Sequence, residues 1–251
     1  LTSVEKIAKL TDKPIEENGS YLLANSEKGI SVEVKNLSFG YTEQQKILNN
    51  ISFAIRPGET VCITGTEGSG KSTLLKLVSG SYKEFEGSLL INEVPVGNYN
   101  LASLRSQTGI MLNELDIFHG TLLENISMGN TEIDVQQIIP LFREVGLHSF
   151  LASQKDGFDT WLDPTGKRLS RNVIHKILLV RALAGNPKLL LLEEPWLGIE
   201  QPYQDQIKKM LLKNFPGTTI LVVSNDVEFA AQCDKTIDVS GQDGLSQKLP
   251  N

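Results

Sequence analysis

A glycine-rich segment between an apolar run and a helical pattern is the feature that most constrains how this chain folds. Residues 61–64 are largely apolar, as in a strand buried on both faces of a parallel sheet, and residues 71–79 carry a helical pattern. The segment between them fits the spacing G-x-x-x-x-G-K-[ST] and comprises Gly65, Thr66, Glu67, Gly68, Ser69, Gly70, Lys71, Ser72 and Thr73. Strand, glycine loop and helix in this order predict a phosphate-binding loop, and they argue against a glycine-rich turn without a ligand. We call residues 65–73 the P-loop.

The residue types of the P-loop suit a nucleoside triphosphate with Mg²⁺. Gly68 and Gly70 allow successive backbone N–H groups to point at phosphate oxygens, and the following helix adds its positive N-terminal end. We expect Lys71 to reach the β- and γ-phosphates and the Ser72 hydroxyl to join the Mg²⁺ shell. The sequence therefore predicts ATP and Mg²⁺ as ligands of the whole segment.

Composition limits the class of protein. Of 251 residues, 40% are hydrophobic and 22% are charged, which is ordinary for a globular chain able to bury a core. The formal net charge of −6 argues against a nucleic-acid partner. Cys62 and Cys233 lack metal-ligand spacing and are expected to be reduced thiols. The sequence shows no apolar run of about 18 residues and no secretory signal, and because it begins with Leu1 we expect a fragment of a longer protein.

Hydrophobic patterns predict an α/β chain. Alternating or fully apolar runs predict strands at residues 30–34, 47–55, 61–64, 88–91, 109–112, 189–192 and 219–223. Helical periodicity dominates from about residue 114 to 181, and a further helix is expected at 201–215. Apolar strands at both ends with helices between them predict an α/β core with an inserted helical subdomain.

Two carboxylates follow one of the apolar strands. Glu193 and Glu194 come directly after residues 189–192. The carboxyl ends of parallel strands form the ligand edge of such a sheet, so we expect both carboxylates beside the P-loop, with Mg²⁺ and an attacking water. Taken alone, the pattern equally fits a buried strand that meets solvent through two acidic residues. The P-loop upstream favours the first interpretation.

A series of further motifs resembles the nucleotide-binding domain of ABC transporters, specifically of exporters. In the family's order these are Phe39-Gly40-Tyr41, Phe118-His119-Gly120-Thr121, Glu124-Asn125-Ile126, Gly157-Phe158-Asp159-Thr160, Leu169-Ser170, Arg181-Ala182-Leu183 and Glu193-Glu194-Pro195. The resemblance implies that Tyr41 stacks on adenine, the alternative being a half-buried aromatic at a strand end. It also implies that Glu194 polarises the hydrolytic water.

The resemblance also implies a division of the chain. Residues 1–28 are expected to be an approach helix, capped by Ser3, and a linker from a missing membrane domain. Residues 29–240 are expected to form the ABC ATP-binding domain, with its helical subdomain at about 114–181, and residues 241–251 a C-terminal tail. The implied fold is a P-loop NTPase core with a mixed sheet, an antiparallel β subdomain and the helical insert.

Several positions depart from the family pattern. Asn113 stands at the Q-loop glutamine, and the resemblance assigns that position to Mg²⁺ or the attacking water. Glu193 stands at the Walker B aspartate and is still expected to bind Mg²⁺. Asn225 stands at the switch histidine, where an amide can donate a hydrogen bond to a γ-phosphate but carries no charge. The D-loop reads Leu197-Gly198-Ile199-Glu200. We therefore expect a degenerate site with weakened hydrolysis.

The signature motif departs as well. The family sequence Leu-Ser-Gly-Gly-Gln reads Leu169-Ser170-Arg171-Asn172-Val173 here. The resemblance implies that Ser170 binds, in trans, the γ-phosphate held by a partner's P-loop. Arg171 either obstructs the close approach of backbone that glycine permits, supplies a substitute phosphate contact, or is solvated at a helix start. His119, His148 and His175 do not replace the switch histidine by position and are expected to be surface or structural residues.

The leading hypothesis is the ATP-binding domain of an ABC exporter, which uses ATP binding and weakened hydrolysis to power or gate transport. Its expected partners are a transmembrane domain and a second nucleotide-binding domain in a head-to-tail dimer, at the cytoplasmic face of the membrane. The alternative is a regulatory pseudo-ATPase module paired with a catalytically complete ABC subunit. A soluble ABC ATPase acting on DNA or ribosomes fits poorly, because the pattern at residues 3–10 is exporter-like. The transported substrate and the choice between homodimer and heterodimer stay open.

Overall fold

The computed structural model describes residues 18–24, 28–42, 45–164, 169–240 and 246–247. The approach helix expected at residues 3–10 and most of the expected C-terminal tail lie outside these ranges. The described strands are β1 (Val32–Phe39), β2 (Leu48–Ile55), β3 (Thr60–Thr64), β4 (Glu86–Ile91), β5 (Val94–Pro95), β6 (Thr108–Met111), β7 (Gly120–Thr121), β8 (Trp161–Leu162), β9 (Leu189–Glu193), β10 (Thr219–Val223), β11 (Lys235–Asp238) and β12 (Ser246–Gln247). The described helices are α1 (Lys71–Val78), α2 (Leu101–Ser106), α3 (Leu122–Ser127), α4 (Val135–Glu144), α5 (His148–Ser153), α6 (Arg171–Leu183), α7 (Gln201–Lys213) and α8 (Val227–Gln232).

A mainly parallel sheet carries the P-loop. Its strands lie in the order β12–β11–β3–β10–β9–β6, with β11 to β6 parallel and β12 antiparallel to β11. Strands β9 and β10 are buried along their whole length, as their continuous apolar sequences require. The register aligns Val223 of β10 with Ile63 of β3 and with Glu193 of β9. The carboxyl ends of these three strands therefore meet at one edge.

An antiparallel sheet packs beside the P-loop helix. Its order is β2–β1–β4–β5, and Val32 of β1 aligns with Ile55 on one side and Ile91 on the other. Buried residues of this sheet share one hydrophobic cluster with the inner faces of α1 and β3, for example Leu37, Leu75 and Ile63. This packing sets the end of β1 close to the start of α1.

Helices α3 to α6 lie between β6 and β9 in the chain. A capping box begins α3, because the Thr121 hydroxyl accepts from Glu124 N–H while the Glu124 carboxylate accepts from Thr121 N–H. Ser170 is the N-cap of α6, and its hydroxyl accepts from Val173 N–H at 3.2 Å. Residues of α6 join a second hydrophobic cluster with the opposite face of β9. The signature motif therefore begins a helix anchored under the parallel sheet.

The fold class predicted from the sequence is confirmed: an α/β P-loop core with mixed sheets, antiparallel strands and helices. The described elements that no sequence pattern predicted are β5, β7, β8, β11, β12, α2 and α8, each of two to six residues. Cys62 and Cys233, far apart in sequence, pack into the same cluster and are both free thiols. Among the described residues, no helix is both long and apolar enough to cross a bilayer.

Candidate functional site

The P-loop backbone forms a cradle that a phosphate can enter. Gly68 and Gly70 have φ angles of 77° and 91°, in the left-handed region that glycine adopts without strain. A Cβ on Gly70 would lie 2.6 Å from Leu48 Cδ2, so packing also requires glycine there. Gly70 is the N-cap of α1 and has no side chain to cap the first N–H groups of the helix. The buried Ser69 hydroxyl finds no partner among the described residues, which fits a loop built to receive an oxyanion.

The Lys71 ammonium lies over the loop's own backbone. Its Nζ donates to Gly65 O at 2.8 Å and to Thr66 O at 2.7 Å. An ammonium has three donors, so it can keep one of these contacts while it turns toward an incoming phosphate. The lysine is thus held at the mouth of the cradle.

Glu193 connects the P-loop with the Q-loop position. The Ser72 hydroxyl donates to Glu193 Oε1, and Asn113 N–H donates to Glu193 Oε2 at 2.9 Å. Glu193 is buried, because it ends β9 inside the sheet. A carboxylate and a hydroxyl side by side are the oxygen ligands that Mg²⁺ prefers. Asn113 contacts Glu193 through its backbone N–H, and the expected contact of this position with Mg²⁺ or the attacking water stays a prediction.

Glu194 leaves the sheet in a strained conformation. Its φ angle is 43°, and its N–H donates to Val223 O at 2.9 Å. Its carboxylate accepts from the Ser224 hydroxyl at 3.2 Å. Burial raises the pKa of Glu194 above its usual range, while the Ser224 hydrogen bond and the Lys71 charge act in the opposite direction. The side chain is therefore placed as a half-buried carboxylate next to the cradle.

Asn225 touches the first residue of the P-loop. Its Oδ1 accepts from Gly65 N–H at 3.2 Å, although its side chain is otherwise exposed. The neighbouring N–H of Thr66 donates to Ser240 Oγ at 2.7 Å. Two side chains from outside the motif therefore hold the start of the P-loop.

Tyr41 stands at the other end of the P-loop. Its hydroxyl and the buried Thr73 hydroxyl share a hydrogen bond of 3.1 Å. Its ring packs edge-on with Phe39 and Tyr82, with centroid distances of 5.2 Å and 5.6 Å. About half of the Tyr41 side chain stays exposed, so a planar base has a face to stack on.

The signature residues make no hydrogen bond to the P-loop of their own chain among the described residues, although Arg171 and Asn172 line one cavity with Asn113. Ser170 itself is exposed. Arg171 Nη1 lies 3.5 Å from Asp116 Oδ2, and Asn172 Nδ2 donates to Gly198 O at 2.5 Å. The geometry brings together the P-loop, Glu193, Glu194, Asn113 and Asn225, and leaves Ser170 apart from them.

The histidines occupy other places. His119 Nε2 lies 3.0 Å from Asp163 Oδ1, and the His148 ring packs against the Tyr203 ring. His175 lies against the backbone carbonyls of Pro195 and Glu194; burial lowers the pKa of its imidazole and those carbonyls partly offset the effect. The His175 side chain thus contacts the backbone of the segment that carries Glu194.

Comparison with known proteins decides the family. The family model described as ABC transporter matches residues 48–197. The chain belongs to the ABC transporter family. It is 31% identical over 234 residues to an ATP-dependent lipid A-core flippase of Saccharophagus degradans, which covers 93% of this chain and 40% of that protein. It is 30% identical over 239 residues to the glutathione/L-cysteine transport system ATP-binding/permease protein CydC of Haemophilus influenzae, with 94% and 41% covered.

A solved structure supports the fold of this ABC family member. A bacterial Atm1-family ABC exporter with ATP bound superposes with a TM-score of 0.84 and 24% identity, covering 96% of this chain and 43% of that chain. At that identity the likeness concerns the fold. The chain spans about two fifths of the length of these relatives.

Sequence reasoning missed three residues that contact the ABC site. Ser240 and Ser224 are single serines at strand ends, a pattern too common to single out. Tyr82 lies 41 positions after Tyr41, and only the packing of the antiparallel sheet on α1 brings the two rings together.

Proposed function

We propose that this chain is the ATP-binding domain of an ABC exporter and that Mg-ATP is its ligand. The observation that carries the proposal is the hydrogen bond from the Ser72 hydroxyl of the P-loop to the buried Glu193 carboxylate. The family assignment and the export-type relatives support the same conclusion. ATP binding, with hydrolysis, would then power or gate the movement of a substrate by the longer protein.

Different residues of the site bind different parts of Mg-ATP. The P-loop N–H groups and Lys71 bind the phosphates, and Tyr41 stacks on the base. Ser72 and Glu193 hold Mg²⁺, which when bound neutralises charge on the phosphate oxygens. Glu194 accepts a proton from the attacking water, and Asn113 orients that water or contacts Mg²⁺ through its side chain.

Slow turnover follows from the departures at this site. Asn225 cannot place a positive charge on the γ-phosphate, and its Oδ1 is engaged by Gly65 N–H. Loss of one such electrostatic contact costs about 10²–10³ in rate in other enzymes. The same observation favours the second candidate, a pseudo-ATPase module that binds ATP and regulates a catalytically complete ABC subunit.

The assembly extends beyond this chain. We propose a transmembrane domain as one partner, since the relatives combine ATP-binding and permease parts. The other partner is a second nucleotide-binding domain, arranged head-to-tail so that Ser170 faces the γ-phosphate on the partner's P-loop. The domain would then lie at the cytoplasmic face of the membrane.

Calorimetric titration of the 251-residue chain with Mg-ATP tests the proposal. We expect binding between micromolar and millimolar strength, and a loss of at least about tenfold in Lys71→Ala, because a hydrogen bond from a charged donor contributes about 1.5–3 kcal/mol. Lys209→Ala, at an exposed lysine of α7, is the matched control and should bind as the wild type does. Absence of binding by the wild type rules the proposal out. Phosphate release then tests the impairment itself, since a rate in the usual range of roughly 1–10³ s⁻¹ would exclude both an impaired site and a regulatory one.

A further inference from the structure

The residues at the two glycine positions of the signature motif make contacts inside their own chain. Asn172 Nδ2 donates to Gly198 O at 2.5 Å, and the Asn172 side chain also hydrogen-bonds the Glu200 carboxylate. Arg171 reaches Asp116 on the other side, at 3.5 Å. Glycine has no side chain, so the family's own residues cannot make either contact. The substitutions at these positions have therefore added bonds within the chain.

A buried lysine strengthens the same connection one turn further along α6. Lys176 is only 3% exposed, and its Nζ donates to Glu200 Oε2 at 2.7 Å and lies 4.8 Å from the centroid of the Tyr203 ring. A buried ammonium is costly to leave unpaired, so Glu200 is held firmly. Residues 198–200 of the D-loop thus receive hydrogen bonds from two successive turns of α6.

Both loops contacted by α6 continue directly into the proposed catalytic segment. Leu197 N–H donates to Glu194 O at 3.0 Å, which ties the D-loop to the turn that carries Glu194. Asp116 follows Asn113, whose N–H holds the Glu193 carboxylate at 2.9 Å. The first turn of α6 therefore contacts two segments. One is the D-loop, which is hydrogen-bonded to Glu194, and the other begins at Asn113, whose N–H is hydrogen-bonded to Glu193.

We propose that Asn172 and Arg171 are positioning residues that act in cis. They fix the D-loop (residues 197–200) and residues 113–117 against the first turn of α6, and so set the placement of Glu194 and Glu193. This role rests on the proposed function, since only a nucleotide site gives that placement a chemical consequence. Asn172 carries most of the effect, because the Arg171 side chain is 87% exposed and exposed ion pairs contribute little.

Hydrogen exchange of the nucleotide-free 251-residue chain tests the contacts directly. Asn172→Asp keeps the shape of the side chain but removes its donor, so a space-filling role would be unaffected by it. We expect amide exchange in residues 197–200 to rise about fivefold, as loss of one net hydrogen bond predicts, with a smaller rise at 113–117 in Arg171→Ala. Asn214→Asp, the same change at an exposed helix end, should leave both segments unchanged. Unchanged exchange in Asn172→Asp overturns the proposal.

Single-turnover hydrolysis, with protein in excess over Mg-ATP, tests the consequence. A positioning role in cis predicts that Asn172→Asp lowers the hydrolysis rate about fivefold or more, while the Kd for Mg-ATP stays within about twofold, because the P-loop is untouched. Asn172→Ala should behave in the same way, and it covers the case in which Asn172→Asp fails to fold. An unaltered rate would overturn the proposal. A loss confined to ATP-driven pairing of two chains would also overturn it, because that result would place Asn172 in trans. Failure of the wild type to bind Mg-ATP would instead refute the proposed function and leave the exchange result standing.

Discussion

At the residue scale, Asn225 stands where the resemblance places the switch histidine and contacts the P-loop. Asn225 accepts a hydrogen bond from Gly65 N–H, and it offers no positive charge to a γ-phosphate. An imidazolium at this place would donate a charge-assisted hydrogen bond to the developing charge. We predict that Asn225→His raises the single-turnover rate of ATP hydrolysis by at least about tenfold, measured as phosphate release. Asn225→Gln, which keeps a neutral amide, should not raise it; equal rates in all three proteins would show that Asn225 does not limit turnover.

The proposed stacking of the base on Tyr41 predicts a selective effect on nucleotide affinity. Tyr41 is fixed by its bond to Thr73 and by the edges of Phe39 and Tyr82. Stacking of one base on an aromatic ring contributes about 1–3 kcal/mol, so Tyr41→Ala should weaken Mg-ATP binding about tenfold. Magnesium tripolyphosphate has no base, and its affinity should be unchanged.

Tyr82 should act through Tyr41. We expect Tyr82→Ala to weaken Mg-ATP about threefold without affecting tripolyphosphate, because loss of one aromatic pair costs about 0.5–1.5 kcal/mol. Tyr82→Phe keeps the ring and loses only the hydrogen bond of the Tyr82 hydroxyl with Tyr41, so it separates the ring contact from that bond. An equal loss for both ligands would mean that the cluster supports the P-loop rather than the base.

At the scale of elements, Tyr99 connects strand β4 of the antiparallel sheet with Tyr21, which precedes the sheet in the chain. Its ring is fully buried, its hydroxyl donates to Ile91 O at 2.7 Å, and the Tyr21 ring packs edge-on at 5.3 Å. Burial raises the pKa of Tyr99 from its ordinary 10.0 to about 12. The unfolded chain therefore releases this proton at lower pH than the folded chain, so stability from Tyr99 is complete below pH 10 and is lost as pH rises toward 12.

Tyr99→Phe separates this effect from other alkaline titrations. Near neutral pH the variant should be less stable by about 1 kcal/mol, since one buried hydrogen bond is lost. Between pH 10 and 12 the difference between wild type and variant should shrink or reverse, because phenylalanine cannot ionise. Urea unfolding of both proteins across this range measures it. A difference that is independent of pH would show that Tyr99 ionises equally in both states.

The sequence predicted long elements better than short ones, because a hydrophobic pattern needs several residues to be recognised. Strands β9 and β10 each contain four consecutive apolar residues, and such a run predicts a strand that is buried on both faces. Strands β7 and β8 have two residues each, too few to show a period, and they pair across about 40 residues of sequence. The P-loop residues were predicted from local spacing alone. The contact of Asn113 N–H with Glu193 depends on the register of two strands 80 positions apart, which no local pattern encodes.

At the scale of the whole molecule, the exposed signature serine makes no hydrogen bond to the P-loop of its own chain among the described residues. In a head-to-tail pair each site would combine the P-loop of one copy with Ser170 of the other. Ser170 also caps α6, so a useful variant must keep the cap while it repels phosphate. Ser170→Asp does both, because aspartate is a good N-cap residue and carries a negative charge.

This arrangement predicts complementation between two defective chains. In a Glu194→Gln background that slows hydrolysis, Lys71→Ala alone and Ser170→Asp alone should stay near the 27.6 kDa monomer mass with Mg-ATP, as measured by light scattering. An equal mixture should form dimers at a concentration at least about tenfold lower, because the P-loop of the Ser170→Asp chain then meets an intact Ser170 across the interface. Omission of Mg-ATP provides the control and should abolish pairing. If the mixture pairs no better than its components, two copies of this chain do not share sites head-to-tail, and a different ABC subunit must supply the signature serine.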